Sequence, residues 1–283
     1  MFIHIAFVLC SAVGITSDTT LPFSFYDDQI LLNRFKTMLI NVREQNVSPN
    51  IAENEFIEIF KGIRESYPNA LKKEEVSTLI FPLTKSNIDA VGGKGGSGYF
   101  VKNFNLFDFK VNGSHPAHDI FIFDLNQDCI DDKKNDFVDI VSVGNGIVLA
   151  IEKDWTDSSA FRGGNYVWVY DFERGGLWYY AHHRKVVVDV GQIVKAGDKL
   201  GEVGRTGFNA RNKRSDTHLH LMYLKINQDF LPEPIDYYAW LIPSKIIKES
   251  SEARKKRKFN VNIDPLAPNN KFKILSTRFL KAA

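Results

Sequence analysis

Residues 217–224 read THLHLMYL. On an extended chain successive side chains point to opposite faces. His218 and His220 therefore share one face, where they can aim at a single site, while Leu219 and Leu221 turn to the core. A run that carries chemistry on one face and core on the other predicts a β-strand in a half-buried sheet.

Runs of the same texture lie upstream: YFVKNFNLFDFKV (99–111), DIVSVGNGIVLAIEK (139–153), NYVWVYDFE (165–173) and LWYYAHH (177–183). They are short, apolar or alternating, and broken by Gly, Asn and Asp, which predicts a mainly β domain, an antiparallel sheet built of hairpins. Before Phe81 the texture differs. Ile30, Leu31, Phe35, Met38 and Leu39, then Phe56, Ile57, Phe60 and Ile63, recur at three- and four-residue spacings, predicting two or three helices in a helical N-terminal segment. The glycine-rich stretch VGGKGGSGYF (91–100) lacks the Gly-Lys-Ser/Thr ending of a phosphate loop and reads as a flexible surface loop at a cleft rim.

At 283 residues, 44% hydrophobic and 25% charged, the chain has the composition of a globular protein with ample core. A formal charge of +2 gives no reason to expect a specific nucleic-acid partner. The charge is uneven, because Arg254 to Lys258 form a dense basic run. That run reads first as a solvated tail, with weak electrostatic contact to anionic wall polymers or a membrane surface as its functional alternative. The opening MFIHIAFVLCSAVGITSDTT (1–20) reads as a secretory signal without a basic n-region, the alternative being a buried strand or helix. Export to a periplasm or the exterior is the expectation. Removal of the signal would leave Cys129 as the single cysteine, with no internal disulfide.

The seven histidines are unevenly placed. Apart from His4 they form three close pairs, His115/His118, His182/His183 and His218/His220. A lone histidine is usually an ordinary core or surface residue, but three pairs gathered by a β fold are harder to dismiss. His115 and Asp119 stand four apart, an even spacing that points both one way on an extended chain, and Pro116 opposes a helix there. Two histidines and one aspartate are a sufficient protein ligand set for catalytic zinc, which keeps one position open.

These motifs, in their order, carry a resemblance. From Phe81 to about Leu241 the chain resembles the lysostaphin/LytM-type zinc metalloendopeptidases of the M23 peptidase family, which cut peptide bonds of bacterial peptidoglycan. The family's His-x-x-x-Asp and His-x-His signatures stand here as HPAHD (115–119) and HLH (218–220). Between them, WYYAHH (178–183) and the turns from Val190 to Gly207 are similar to its intervening segments, and PIDYYAWL (234–241) to its closing one. The resemblance implies a LytM-like, duplicated hybrid motif fold and Zn²⁺ held by His115, Asp119 and His220. It implies too that His182 and His218 flank the metal as catalytic residues, orienting or deprotonating water and stabilising the tetrahedral oxyanion.

His118 and His183 depart from the family pattern. Their expected roles are exposed bystanders, ligands of an inhibitory second metal, or substrate contacts, and His118 is the alternative to His115 as ligand. Trp155, Trp168, Trp178 and Trp240 read as core, with Tyr166 and Tyr179 as candidates to line a substrate groove. The acidic DLNQDCIDDKKND (124–136) places Asp124, Asn126, Asp128 and Asp132 as in a calcium loop, but Cys129 replaces its glycine and Asn135 its glutamate. A polar hairpin turn is the stronger reading and Ca²⁺ the weaker.

The expected organisation is a signal over 1–20, a helical segment over 21–80, the zinc peptidase domain over 81–245 and a basic extension over 246–283. The expected function is exported zinc-dependent hydrolysis of peptidoglycan peptides. The alternatives are a non-catalytic LytM-like regulator of other wall hydrolases, in which the ligands are usually broken, and a wall-binding module. Specificity is expected in the loops 88–99 and 158–165.

Overall fold

Leu32, Phe35, Met38 and Val42 recur every three or four residues, and together they form the buried stripe of helix α1 (Ser24–Arg43). Helix α2 (Pro49–Ser66) opens with Pro49 in its first turn, where a missing N–H costs nothing, and buries Ala52, Phe56, Ile59, Phe60 and Ile63. The two pack on each other, and Arg34 grips Glu55 through both carboxylate oxygens at 2.8 and 2.9 Å. The computed structural model describes residues 24–67, 78–159, 161–211 and 215–250. The expected signal, the basic run Arg254 to Lys258 and nearly all of the C-terminal extension lie outside them.

The strands are β1 (Ala117–Phe121), β2 (Ile130–Asp131), β3 (Asp136–Phe137), β4 (Asp139–Val141), β5 (Gly146–Glu152), β6 (Asn165–Asp171), β7 (Gly176–Val186), β8 (Ile193–Val194), β9 (Lys199–Val203), β10 (His218–Ile226) and β11 (Pro232–Pro234). An antiparallel sheet runs β1-β10-β7-β6-β5-β8, with β11 on β10 and β9 bridging β7 and β4. The expectation of a mainly β, antiparallel sheet behind a helical segment is borne out.

Strand alternation divides the core. Leu219, Leu221 and Tyr223 of β10, Trp178 and Tyr180 of β7, and Val167 and Val169 of β6 face one core, which Phe81, Leu83 and Ile140 complete. Met222, Leu224 and Ile226, Leu177, and Tyr166, Trp168 and Tyr170 face the other, and there the helices sit. Phe35 meets Trp168 edge-on at 6.0 Å, and Phe60 lies 6.0 Å from Tyr170. The helical segment therefore completes the core of one sheet face.

One expected strand is absent. Residues 99–111 form an irregular segment whose only bridge joins Phe100 to His115. Side chains there bond their own backbone: Asn105 Oδ1 accepts from Phe107 N at 2.8 Å and Asp108 Oδ1 from Lys110 N at 2.9 Å. Such short-range bonds compete with a sheet ladder.

Because helices and sheet share one core, Phe35→Ala should cost about 3–5 kcal/mol. Urea unfolding followed by both far-ultraviolet circular dichroism and tryptophan fluorescence should show a single coincident transition, shifted to lower urea in the variant. Two separate transitions in the parent protein would contradict the shared core.

Candidate metal centre

The register of β1 on β10 places Asp119 opposite His220 and Phe121 opposite His218. Asp119, His218 and His220 thereby rise from the face that the helices cover further along. His220 Nδ1 lies 2.9 Å from Asp119 Oδ1, His115 Nε2 lies 3.3 Å from the same oxygen, and His218 Nε2 lies 3.6 Å from it. Ligand atoms of His115, Asp119 and His220 all fall within 4.8 Å of one another, the one such metal-competent group among the described residues.

The outer nitrogens are held by backbone carbonyls: His115 Nδ1 by Gly98 O at 2.9 Å, His182 Nδ1 by Thr206 O at 2.7 Å and His218 Nδ1 by Asp216 O at 2.6 Å. A carbonyl only accepts, so each of these Nδ1 atoms carries the proton and each Nε2 keeps its lone pair for the cleft. This is the arrangement in which a metal-binding histidine is oriented by a second partner. The donor set, two imidazole nitrogens and a carboxylate with the sulfur of Cys129 elsewhere, fits Zn²⁺.

His182 reaches the site by an irregularity. Alternation along β7 would give Tyr179, Ala181 and His183 one face and send His182 to the other. Instead His182 adopts a left-handed backbone, φ +65°, and the pairing of β7 slips on both β6 and β9 beside it. Thr206 stabilises the turn, its hydroxyl donating to His183 O at 2.8 Å and accepting from Asn165 N at 2.9 Å. The His182 ring stands 4.9 Å from that of His218 and 5.8 Å from that of His220.

Charge is balanced unevenly. Burial alone would raise the Asp119 pKa, but hydrogen bonds to His115 and His220, with the nearby charge of His220 and His218, outweigh it and hold the carboxyl well below its usual range. Burial likewise opposes charge on His115, yet Asp119 wins and its pKa rises. Burial, reinforced by His218 and His220, pushes His182 down to about 3, and burial also lowers His218.

His118 and His183 are corrected on exposure, since both are fully buried. His118 points to the opposite face from Asp119, its Nε2 2.9 Å from Asp236 Oδ1 in the closing segment and its ring 5.0 Å from Tyr237. It is neither the alternative ligand nor a wall of the cleft. His183 packs against Gly201, where a Cβ would collide with its ring. The glycine-rich loop is no free surface either: Gly92 N donates to Asp119 O at 2.8 Å, and Gly98 holds His115.

The calcium expectation is not supported. Asp124 is turned into its own loop, accepting from Asp128 N at 3.1 Å, Cys129 N at 2.9 Å and the Thr217 hydroxyl at 2.6 Å, while Asp132 accepts from Leu125 N at 2.8 Å. These carboxylates close a polar turn, and the described residues offer no metal-competent group there.

A cavity of about 440 Å³ opens over the site. His115, Asp119, His182, His218 and His220 line it together with Tyr166, Tyr179 and the loop residues Phe161 to Gly163. The loop 88–99 contributes nothing to its lining, whereas the irregular segment from Asn103 to Asn112 and the end of α1 do. Leu39, Val42 and Arg43 carried no sequence signal for this role, because a helical stripe looks alike whether it covers core or cleft.

The site is thus a histidine-aspartate cluster competent to hold a metal, set in a cleft on an antiparallel sheet. Residues 127–232 match the model of Peptidase family M23, the family that the chain's motifs resemble. The matched residues include His182, His218 and His220 and begin after His115 and Asp119. No curated protein matches the chain. Among solved structures, the antimicrobial peptidase lysostaphin from Staphylococcus simulans is 23% identical over 45% of this chain and 43% of its own, with a TM-score of 0.32. A LytM structure from Ruminococcus gnavus is 17% identical over 76% of this chain and 90% of its own, TM-score 0.38. A zinc containing peptidase from Vibrio cholerae is 21% identical over 47% and 31%, TM-score 0.29. The chain thus spans less than half the length of lysostaphin.

In the metal-free protein, histidine nitrogen NMR should find His182 neutral and protonated at Nδ1 until about pH 3. His115 should titrate above its ordinary value, because Asp119 favours its charged form over the opposing effect of burial. A His182 titrating near about 6.5 would contradict the burial and the turn that place it.

Proposed function

We propose that the chain is an exported zinc metalloendopeptidase that hydrolyses peptide bonds in peptidoglycan stem peptides or cross-bridges. The observation that carries this is the convergence of His115 Nε2, Asp119 Oδ1 and His220 Nδ1 in a cavity of about 440 Å³, in a chain whose residues 127–232 match the M23 peptidase model. Those three residues would hold Zn²⁺, and zinc there would supply Lewis acidity that polarises a carbonyl and makes hydroxide available near neutral pH.

The remaining chemistry belongs to side chains. His182 and His218 each present an Nε2 lone pair, since their Nδ1 protons are committed to Thr206 O and Asp216 O. Both are kept neutral by burial, so at pH 7 each accepts a hydrogen bond from water and orients it toward a scissile carbonyl. Whichever of them accepts the proton can return it to the departing amine, and as an imidazolium it donates to the oxygen where negative charge has developed. The partly exposed ring of Tyr179, in the cavity lining, gives a peptide an aromatic surface to lie on. An intact ligand set favours this reading over a regulator or a wall-binding module.

The test is release of new amino groups from purified peptidoglycan by the full chain, with chelator and with zinc returned. Release should stop with the chelator and resume with zinc. His220→Ala should remain folded, lose zinc and fall to background. His182→Ala should keep zinc and lose about 10²- to 10⁴-fold in turnover. Undiminished release by His220→Ala would refute the metallopeptidase reading.

A further inference from the structure

Two guanidinium groups overlook the cleft without an acidic partner. Arg43, the last residue of α1, and Arg162, in the loop before β6, both line the cavity that holds His115, Asp119 and His220. They gather about one aromatic ring: the Phe109 centroid lies 4.7 Å from Arg43 Cζ and 4.9 Å from Arg162 Cζ, and Arg43 also lies 5.6 Å from the Phe161 centroid. Among the described residues neither forms an ion pair. Asp108 lines the same cavity, but its Oδ1 is committed to Lys110 N.

Arg43 is half-buried and Arg162 exposed, and holding a second cation beside a half-buried one is unfavourable unless something compensates. Burial, with the charge of Arg162 adding to it, depresses the Arg43 pKa, while Tyr179 and Tyr166 only partly offset the cost. A second observation points the same way: Tyr166, which also lines the cavity, has a buried hydroxyl with no hydrogen-bond partner among the described residues. Unpaired forks of N–H donors beside an unsatisfied hydroxyl are what a planar anion needs, and guanidinium geometry matches a carboxylate in particular.

We infer that Arg43 and Arg162 form a subsite for a carboxylate of the peptide substrate, half of it supplied by the N-terminal helical segment. This rests on the peptidase reading above and extends it to specificity: the bond cut lies within reach of a free carboxylate, either a chain terminus or an acidic side chain. The helical segment then has a role beyond packing, since it completes the substrate site.

Calorimetric titration of the full chain, supplied with Zn²⁺, against four peptides tests this. They are Ala-Glu-Lys-Ala and Ala-Gln-Lys-Ala, each as the C-terminal acid and the C-terminal amide. One carboxylate should bring about tenfold tighter binding. A terminal carboxylate separates acid from amide, and a side-chain carboxylate separates the Glu from the Gln peptides. Arg162→Gln, at an exposed position, and Arg43→Gln should each erase the difference between the carboxylate and carboxamide peptides. Equal binding of all four, no binding of any, or a preference that survives both substitutions would overturn the subsite, the last assigning the anion to the metal. Because the readout is binding, discrimination that depends on the arginines in a chain that cuts no peptidoglycan would keep the subsite and remove the peptidase reading. Cutting without discrimination would do the reverse.

Discussion

The pairing of Asp119 with His220 across two antiparallel strands governs the rest of the molecule. A shift of one residue in that register would turn every side chain of β1 to the other face. Asp119 would then leave the cleft and His118 would enter it. The register is held from behind: Ile120, Leu219 and Leu221 are locked into the core on the opposite face, and the Tyr237 hydroxyl bonds Leu221 O beneath the pair. The apolar side of the same strands thus fixes where the polar side points.

That polar side is short, and the helices begin where it ends. Rings run in near contact from His220 to Tyr179 at 6.2 Å, on to Trp168 at 4.5 Å and then to Phe35 of α1 at 6.0 Å. The helices and the candidate metal site are therefore joined by a run of packed aromatic rings, edge-on at His220–Tyr179 and at Trp168–Phe35. The same geometry brings the end of α1, and with it Arg43, to the rim of the cleft.

Much of this was legible in the sequence because its signals have fixed periods. The two-residue period of THLHLMYL gave the facing of His218 and His220, and the three-to-four-residue spacing around Phe35 and Phe56 gave the helices. What could not be read were departures from period. His182 enters the cleft only through its left-handed backbone, whereas strict alternation would have chosen His183. Residues 99–111 have a strand's composition, but asparagine and aspartate side chains claim their backbone. The calcium-like spacing after β1 failed for a similar reason, since carboxylates that could ligate an ion instead satisfy the N–H groups of their own turn. Arg43 carries no local signal at all, because its place at the cleft depends on strands far along the chain.

X-ray absorption at the zinc edge of the loaded full chain tests the central claim most directly, that the β1/β10 register builds a metal site from His115, Asp119 and His220. One zinc per chain, surrounded by nitrogen and oxygen with two imidazole ligands and no sulfur, is the predicted result, with one imidazole lost in His115→Ala. A sulfur ligand, or a spectrum unchanged by His115→Ala, would contradict it.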